Sequence, residues 1–489
     1  MTTFSYLGLL HLVLPEVIVV ITALCVLSAD LIFLRTSNVR FRSAVGAMLS
    51  VAGCAVAVVW ILHTPQSANV LDGMLVLNPL AQRMQIALLI LTMLTVLIFI
   101  GSTFTQHVSE YLALILLATV SMMFLVSTQN LLLIFLSLEL LSLSLYILTA
   151  FNKRSGRSAE AALKYFIFGG ISAAFLLFGV SLVYGLSNST NLASIADSIH
   201  GPFLEPLLIV AIVTTLVGLG FKVAAAPFHF WAPDVYQGAP APSAALIASG
   251  SKVAGFFIFF QVMVIGFAGA EGSGVWHGYA AGWVPIIAIV ATLSMVLGNL
   301  VAILQTSVRR LLAYSAIAHA GYMLLGIVAH TDQSFRALLY YAITYALTVL
   351  GAFGVIGLVE EETGGDTFSD FAGLSRRAPV PSFCMLIFML SLAGIPPLAG
   401  FFGKFYLFSS VLTSTPGSLG LLWLVVLAIA LSAVSLYYYL KVLKYIYVTN
   451  PSSGIAPIRV SALRQVVLCL IALGVVLLGC APNLLLQWR

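Results

Sequence analysis

The chain has 489 residues, of which 61% are hydrophobic and only 8% are charged, whereas an ordinary soluble domain has about 25% charged residues. This composition excludes a soluble enzyme and indicates a membrane protein with many spans. The net charge of +5 is spread over the loops without a basic run, so nucleic acid is excluded as a partner. Long apolar runs without ten-residue alternating segments predict helices rather than a β-barrel.

The apolar runs predict an all-α polytopic membrane protein with about 14 transmembrane helices of roughly 20 residues each. Residues 1–10 contain no basic segment and no small-residue cleavage site, so we expect a retained first span rather than a signal peptide. All spans belong to a single transmembrane domain over residues 1–489. In chain order, the predicted spans cover residues 11–34, 41–62, 84–105, 110–128, 130–151, 161–186, 204–226 (broken, continuing to about 238), 243–267, 283–305, 309–329, 334–359, 380–411 (broken), 418–447 and 460–483.

The basic residues predict how the chain is oriented in the membrane. The loops after odd-numbered spans, with the adjoining helix ends, contain 14 Lys and Arg residues. The loops after even-numbered spans, together with the C-terminus, contain three. Because basic loops remain in the cytoplasm, we expect both termini on the outer, periplasmic side.

Two predicted spans are interrupted by proline near a lysine. The seventh contains Pro227 near Lys222, and the twelfth contains Pro396-Pro397 near Lys404. The breaks are five spans apart, which predicts two inverted five-helix repeats, and interrupted segments at matching positions of such repeats indicate a transport site. We expect spans 1–3 within 1–109, the first repeat (spans 4–8) at 110–267, the second (spans 9–13) at 283–447 and the last span at 460–483.

Glu139 and Lys222 are ionisable residues in apolar surroundings. A charge at the centre of a bilayer costs roughly 2.5–3.5 kcal/mol on insertion scales, so each is a candidate functional residue. We predict that they pair, and that protonation of the lysine depends on whether the carboxylate is engaged, as a proton carrier requires. The alternative is a static salt bridge, although buried ion pairs stabilise a fold less than apolar packing does.

Four further residues extend this candidate site. Lys252 follows small residues that leave room for close helix approach, with snorkelling to the interface as the alternative. Lys404 lies in a setting like that of Lys222; the alternative is a lysine that ends an interrupted helix. His229 lies in the first break and His319 in the tenth span, where each is either a proton-transfer group or a hydrogen-bonded core residue.

Other polar features have weaker functional readings. Glu160 and Lys164, four residues apart at the start of the sixth span, are interpreted as a helix-start pair worth a few tenths of a kcal/mol and remain secondary candidates. The polar stretch from Glu360 to Arg377 is interpreted as a solvated cytoplasmic loop. The five cysteines are scattered without metal-ligand spacing, and no nucleotide-binding motif is present. We therefore expect no metal site and no cofactor-binding site on this chain.

Three segments resemble the antiporter-like subunits of bacterial respiratory complex I, the NADH:quinone oxidoreductase. The resemblance covers nearly the whole chain, and it implies that Glu139, Lys222, Lys252 and Lys404 form a proton relay, with a lesser role for Glu160 and Lys164. The segments are Gly220-Phe-Lys-Val-Ala-Ala-Ala-Pro-Phe-His-Phe-Trp-Ala-Pro-Asp, Leu312-Ala-Tyr-Ser-Ala-Ile-Ala-His-Ala-Gly-Tyr and Gly394-Ile-Pro-Pro-Leu-Ala-Gly-Phe-Phe-Gly-Lys-Phe.

The resemblance implies a proton-translocating membrane-arm subunit in the bacterial inner membrane. It would act as part of a translocase and carry no redox chemistry itself, so flavin, iron–sulfur clusters and quinone are expected on partner subunits. The expected neighbours are lipid, an antiporter-like M subunit and small K, J and A type subunits. Lys404 replaces the glutamate of the M subunit, and the lateral helix of the L subunit is not seen. Two alternatives stay open: a subunit of an Mrp-type cation/proton antiporter, and a structural scaffold of the membrane arm.

Overall fold

A computed structural model describes residues 6–65, 67–102, 104–199, 205–414, 420–450 and 457–488. In this part of the chain, 13 helices are long and apolar enough to cross a membrane. They correspond to every predicted span except the twelfth, which is divided into two shorter helices. The predicted polytopic helical fold is thus confirmed. The terminal residues 1–5 and 489, on which the predicted orientation of the termini depends, lie outside the described residues.

The first half of the chain contains the first nine helices and the one hairpin seen in the described residues. The strands pair antiparallel, with Ala68 opposite Leu77. In chain order the elements are α1 (Tyr6–Leu12), α2 (Leu14–Ala29, continued by a π-helical turn Asp30–Leu34), α3 (Val39–His63), β1 (Ala68–Val70), β2 (Leu75–Leu77), α4 (Pro79–Phe99), α5 (Val108–Val126), α6 (Leu131–Thr149), α7 (Gly156–Ser187), α8 (Leu192–Ser198) and α9 (Pro206–Val223).

The described residues of the second half contain helices and connecting loops but no strand. In chain order it contains α10 (Trp231–Gly238), α11 (Ala241–Ala248), α12 (Gly250–Phe260, continued by a π-helical turn Gln261–Gly266), α13 (Trp283–Ile303), α14 (Val308–Ala329), α15 (Asp332–Thr363), a 3₁₀ turn (Phe368–Phe371), α16 (Leu374–Arg377), α17 (Pro379–Ala393), α18 (Ala399–Thr413), α19 (Leu422–Tyr447), α20 (Ala462–Cys480) and α21 (Asn483–Leu486).

Polar residues before the apolar runs fix where many helices begin. The side chain of Asn130 accepts hydrogen bonds from the amides of Leu132 and Leu133 at the start of α6. Ser307 caps α14 through the amide of Arg310. Such caps satisfy amides that have no partner within the helix. They therefore set the register in which the buried ionisable residues face the interior.

The helices differ in how much of their surface other helices cover. Nearly every residue of α12 and α14 is buried, whereas α7 exposes large apolar side chains such as Phe166 and Phe178. A helix that is apolar on all sides and exposed on one face is typical of a lipid-facing or subunit-facing position. Because α12 and α14 carry Lys252 and His319, two of the predicted residues lie in the most enclosed part of the bundle.

Both predicted helix breaks are present. The first separates α9 from α10 and begins at Ala224, whose φ of 58° is left-handed. The second separates α17 from α18 and begins at Gly394, with φ 85°. Each break contains a cis X–Pro bond, at Ala226–Pro227 and Pro396–Pro397. The placement of these breaks within two inverted repeats stays a prediction.

One interruption was not predicted. The eighth span bends at Ser249, between α11 and α12, where the Ser249 hydroxyl donates to the Ala245 carbonyl at 2.6 Å. A serine hydroxyl that bonds back to the preceding turn, followed here by Gly250, is a known cause of helix kinks. The bend puts Lys252 in the first turn of α12.

The interpretation of Glu360–Arg377 as a solvated loop is wrong. Helix α15 continues to Thr363, and both Phe368 and Phe371 of the following 3₁₀ turn are buried. The segment folds back on the start of α14, where the Val308 amide donates to the Asp366 carbonyl at 2.8 Å. Because its aromatic side chains have apolar surface to bury, the stretch packs against the bundle despite its acidic residues.

Candidate functional site

Three lysines lie inside the bundle, each on an interrupted span. Lys222 is in the last turn of α9, Lys252 is in the first turn of α12, and Lys404 is on α18; their exposed fractions are 5%, 2% and 5%. Long basic side chains near helix ends usually reach water. These three do not, so the snorkelling alternative for Lys252 is wrong. A buried charge of this kind indicates a functional site.

Lys222 is held by one side-chain hydrogen bond. Its Nζ donates to Ser142 Oγ at 3.3 Å. Ser142 is on α6, three residues after Glu139 and therefore on the same side of that helix. Among the ion pairs of the described residues, none joins Glu139 to Lys222. The predicted direct pair is thus not formed in this conformation.

The position of Glu139 explains the missing contact. The residue is half-buried, and its neighbours Leu136 and Leu143 are 53% and 50% exposed. The carboxylate therefore lies between the interior and the outer surface of α6. Ser142 occupies the space next to the Lys222 ammonium, and Glu139 is within electrostatic range of that ammonium but not in contact with it.

Lys252 contacts the middle of α14. Its Nζ donates to the Ala316 carbonyl at 2.6 Å and lies 5.6 Å from the centre of the Tyr345 ring. A carbonyl already bonded within a helix accepts this second hydrogen bond through its other lone pair. The ammonium is thereby joined to the helix that carries His319, three residues further on.

His319 is buried and both of its ring nitrogens have partners. Nδ1 is 2.8 Å from the Tyr341 hydroxyl of α15, and Nε2 is 3.0 Å from the Tyr439 hydroxyl of α19. The Tyr439 hydroxyl also forms a short hydrogen bond with Ser315 Oγ. The histidine is thus part of a hydrogen-bonded chain that crosses three helices.

Lys404 is the most completely bonded of the three lysines. Its Nζ donates to the carbonyls of Leu392 and Ala393 at 3.0 and 3.1 Å and to Ser432 Oγ at 2.9 Å. The two carbonyls are the last of α17. The ammonium therefore lies at the negative end of that helix. A cavity of about 430 Å³ adjoins it, lined by Ser432 and by phenylalanines of α18.

His229 is not joined to the lysines by a hydrogen bond of the described residues. It is buried, its ring stacks on Phe230 with centroids 4.7 Å apart, and its Nδ1 has no hydrogen-bond partner in the part of the chain that is described. The structure therefore separates the two predicted histidines: His319 is integrated into a polar chain and His229 is not.

Glu160 and Lys164 form the predicted pair, with the ammonium 2.7 Å from the carboxylate. Lys164 also bonds Asp234 of α10 at 2.8 Å, and Asp234 accepts a second ion-pair contact from Arg310 of α14 at 2.7 Å. The pair is thus more than a helix-start contact. It belongs to a cluster of ion pairs that joins α10, the helix that follows the first break, to α7 and α14.

We call the side of the bundle that carries Arg309, Arg310 and Arg464 the basic end. Arg309, only 3% exposed, bonds Glu360 of α15 and the Ala239 carbonyl. A cavity of about 350 Å³ lies at this end, lined by charged side chains and by the α10–α11 connection. Its lining combines charged side chains such as Glu361 and Arg464 with apolar ones such as Val467 and Leu468. Among the described residues, no group of three or more His, Cys, Asp or Glu could hold a metal ion.

The residues that sequence reasoning missed are mainly neutral hydroxyl groups. Ser142, Ser432, Tyr341 and Tyr439 contact the predicted lysines and histidine, yet serine and tyrosine are common in apolar helices and carry no signal of their own. Asp234 lies within the motif Trp-Ala-Pro-Asp that carried the resemblance. An acidic residue directly after a predicted break was a usable signal.

Comparisons with known proteins show to which family the sequence is similar. The profile of a family described as NADH:quinone oxidoreductase/Mrp antiporter, TM, matches residues 128–432. The chain is 55% identical to NADH-quinone oxidoreductase subunit N 2 of Acidobacterium capsulatum, with 100% of both chains covered. It is 35% identical to NADH-quinone oxidoreductase subunit N of Nitrosomonas europaea, with 96% of this chain and 95% of the relative covered.

Solved structures show the same fold. A chain of respiratory complex I from Thermus thermophilus with bound aureothin is 32% identical, with a TM-score of 0.77 and coverage of 97% of this chain and 98% of the other. A chain of the Mrp complex from Dietzia sp. matches with a TM-score of 0.80 at 20% identity, covering 97% and 96%. The second likeness concerns the fold alone.

Proposed function

The chain belongs to the family of NADH:quinone oxidoreductase and Mrp antiporter membrane subunits, and from this we propose that it is the N subunit of a bacterial respiratory complex I, moving protons across the inner membrane. Electron transfer from NADH to quinone would take place on other subunits of the complex. The relatives named subunit N match over essentially their full length. Lys404 at the second break favours the N type over the M type, which carries a glutamate there.

One observation carries the proposal. Buried ionisable groups follow one another across the bundle, from Lys222 on α9 to Lys252 on α12, His319 on α14 and Lys404 on α18. Each bonds to a neighbouring helix or half-helix through hydroxyl or carbonyl groups. Buried charges are poor stabilisers, so four such groups in one row are better explained by ion transfer than by folding.

The contacts suggest a sequence of events. Water in the 350 Å³ cavity at the basic end would bring protons from the cytoplasm. Movement of Glu139 toward Lys222 would favour the charged lysine, and its withdrawal would release the proton. The proton would pass to Lys252 and through His319 to Lys404, then leave on the periplasmic side. Lys404 and its 430 Å³ cavity would form the exit end.

The complex would supply what this chain lacks. We propose that flavin, iron–sulfur clusters and quinone are held by partner subunits, and that movements in neighbouring M-type and small K, J and A type subunits drive Glu139. We also propose that both termini face the periplasm and that spans 4–8 and 9–13 are inverted repeats. In this arrangement His229, Glu160 and Lys164 have secondary roles.

The test is Lys222→Ala in an assembled complex reconstituted into vesicles. We expect proton pumping per NADH oxidised to fall roughly tenfold or more, because general acid–base groups contribute about 10²–10⁴ to transfer rates. Lys153→Ala, an exposed loop lysine, is the matched control and should pump normally. Wild-type pumping in the Lys222 variant would refute the relay.

A second candidate is a subunit of a stand-alone cation/proton antiporter, favoured by the fold shared with the Mrp complex. Purification through a tag on this chain distinguishes the two. Flavin and iron–sulfur subunits should co-purify if the proposal is right, and only membrane subunits if the chain belongs to an antiporter. The scaffold alternative predicts instead that lysine variants reduce assembly while each assembled complex pumps normally.

A further inference from the structure

Along α14, His319 lies midway between the residues that Lys252 and Lys404 contact. No hydrogen bond of the described residues joins His319 to either lysine. Lys252 bonds the carbonyl of Ala316, three residues before His319. Lys404 lies 5.5 Å from the ring of Tyr322, three residues after it. At a rise of about 1.5 Å per residue, these two contact points are about 9 Å apart along α14. No hydrogen bond of the described residues joins the two lysines, so proton transfer between them requires intermediate groups.

Hydroxyl groups fill the space around His319. The hydroxyls of Tyr341 from α15 and Tyr439 from α19 are hydrogen-bonded to the two ring nitrogens. The Tyr439 hydroxyl is also hydrogen-bonded to Ser315. A neutral imidazole has one N–H donor and one acceptor, and each hydroxyl both donates and accepts. The series Ser315–Tyr439–His319–Tyr341 is therefore a chain in which every member is able to give one hydrogen and take another.

The two ends of this chain lie next to the lysine contacts. Ser315 precedes Ala316, the residue whose carbonyl accepts from Lys252. Tyr341 packs against Gly403, which precedes Lys404: a Cβ added at Gly403 would be 2.8 Å from Tyr341 Cδ2. Glycine at 403 thus permits the close approach of Tyr341 to α18. The hydrogen-bonded chain thus begins at the residue before the Lys252 contact and ends at a tyrosine that packs against the residue before Lys404.

We propose that Tyr439 and Tyr341 are positioning residues of the relay, which hold His319 and, with Ser315, form the hydrogen-bonded path from Lys252 to Lys404. This inference rests on the proposed function. A proton added at Ser315 Oγ displaces the serine hydrogen to Tyr439, and the tyrosine hydrogen moves to His319 Nε2. The hydrogen on Nδ1 then passes to Tyr341, whose own hydrogen leaves toward Lys404. One proton enters, one leaves, and no charge stays behind.

A purely structural role for these tyrosines makes a different prediction. Tyr340 is the neighbour of Tyr341 on α15, is equally buried and donates its hydroxyl hydrogen to the Leu478 carbonyl of α20 at 2.8 Å. Tyr111 of α5 is also fully buried, and its hydroxyl is hydrogen-bonded to Ser243 Oγ at 2.8 Å. Both offer the same Tyr-to-Phe change outside the proposed path.

The experiment compares Tyr439→Phe and Tyr341→Phe with Tyr340→Phe and Tyr111→Phe in the whole complex, reconstituted with NADH and quinone. Proton pumping per NADH oxidised is measured in H₂O and in D₂O, and assembly is measured on native gels. We expect Tyr439→Phe and Tyr341→Phe to lower pumping about tenfold or more and to increase the solvent isotope effect. The two control variants should stay within about twofold of wild type in both measurements, since they remove no member of the path.

The results of these variants distinguish a failure of this inference from a failure of the proposed function. Pumping by Tyr439→Phe and Tyr341→Phe at the level of the controls, while Lys404→Ala abolishes pumping, would overturn this inference and leave the proposed function intact. Normal pumping by Lys404→Ala would refute the function itself. If Tyr439→Phe does not assemble, Ser315→Ala and Ser315→Thr replace it: the first removes the hydroxyl and should lose pumping, and the second keeps it and should restore pumping.

Discussion

The two proline breaks hold their lysines in different ways. At the second break, Lys404 bonds three acceptors, two of which are the terminal carbonyls of α17. At the first break, Lys222 has one hydrogen-bond partner among the described residues, the Ser142 hydroxyl at 3.3 Å. Lys222 belongs to the half-helix that ends at its break, whereas Lys404 reaches back from the half-helix that follows. A shared pattern of proline and lysine thus produces one tightly bonded ammonium and one loosely bonded ammonium.

The residues that begin the two breaks also differ in backbone strain. Gly394 starts the second break with a φ of 85°, which glycine adopts freely. Ala224 starts the first with a φ of 58°, and the left-handed conformation costs an L-residue roughly 1–2 kcal/mol. The first break therefore combines strain in the main chain with a weakly held lysine.

This difference assigns the breaks different parts in proton transfer. A lysine with one long hydrogen bond moves easily when a nearby carboxylate moves, so Lys222 suits the step that neighbouring subunits drive through Glu139. A lysine fixed at the negative end of a helix keeps its position while it exchanges protons. Lys404 suits the role of a fixed acceptor at the end of the path.

The largest effect is expected from substitution of the lysines by methionine, which keeps the length of the side chain. Lys404→Met leaves two helix-end carbonyls and Ser432 without their donor, so we expect the free energy of unfolding to fall by about 2 kcal/mol. Lys222→Met loses one long hydrogen bond and removes a buried charge, so stability should be unchanged or higher. Thermal unfolding of the purified complex measures both.

Proton pumping provides a control for these two variants. Lys404→Met and Lys222→Met should both lose pumping, whereas only Lys404→Met should lose stability. Equal destabilisation by the two substitutions would show that the lysines are bonded alike, and the contrast between the breaks would be wrong. Lys153→Met, in an exposed loop, reports any general effect of adding methionine.

The sequence alone predicted the spans and both breaks because each depends on local properties. Apolar length predicts a spanning helix, and Pro227 or Pro396 cannot continue one. The partners of the buried lysines depend instead on which faces of distant helices meet. Lys222 bonds Ser142 rather than Glu139 because α6 turns its carboxylate toward the outer surface. Apolar helices without polar faces do not specify their rotation in the sequence.

A smaller effect is expected from exchange of the residues that begin the breaks. Gly394→Ala introduces left-handed strain and a Cβ at 3.1 Å from Cδ and 3.2 Å from Nζ of Lys404, so we expect a loss of about 1–2 kcal/mol in the free energy of unfolding. Ala224→Gly relieves the left-handed strain, but it also removes one methyl group from a fully buried site. The loss of that methyl group costs about 0.8 kcal/mol. The two terms nearly cancel, and thermal unfolding should detect little change. A large increase in the free energy of unfolding of Ala224→Gly would mean that the strain at Ala224 costs more than about 1–2 kcal/mol.

The smallest effect concerns the ion pairs that hold α10. Asp234 joins Lys164 and Arg310 at the first break, whereas no ion pair in the described residues involves α18 at the second. Because the three side chains are 28–40% exposed, Asp234→Asn should cost at most about 1 kcal/mol, and the cost should shrink at high salt. Unfolding at two salt concentrations measures it.

The matched control for Asp234 is Glu110→Gln, which removes an exposed carboxylate that is hydrogen-bonded to His107 and Ser109 away from both breaks. If α10 is held by its ion pairs, Asp234→Asn will also reduce pumping about twofold at low salt, whereas Glu110→Gln will not. An equal effect of the two variants on pumping would mean that the ion pairs serve only stability. The first break would then be positioned by its backbone and its apolar packing, without a contribution from the ion pairs of Asp234.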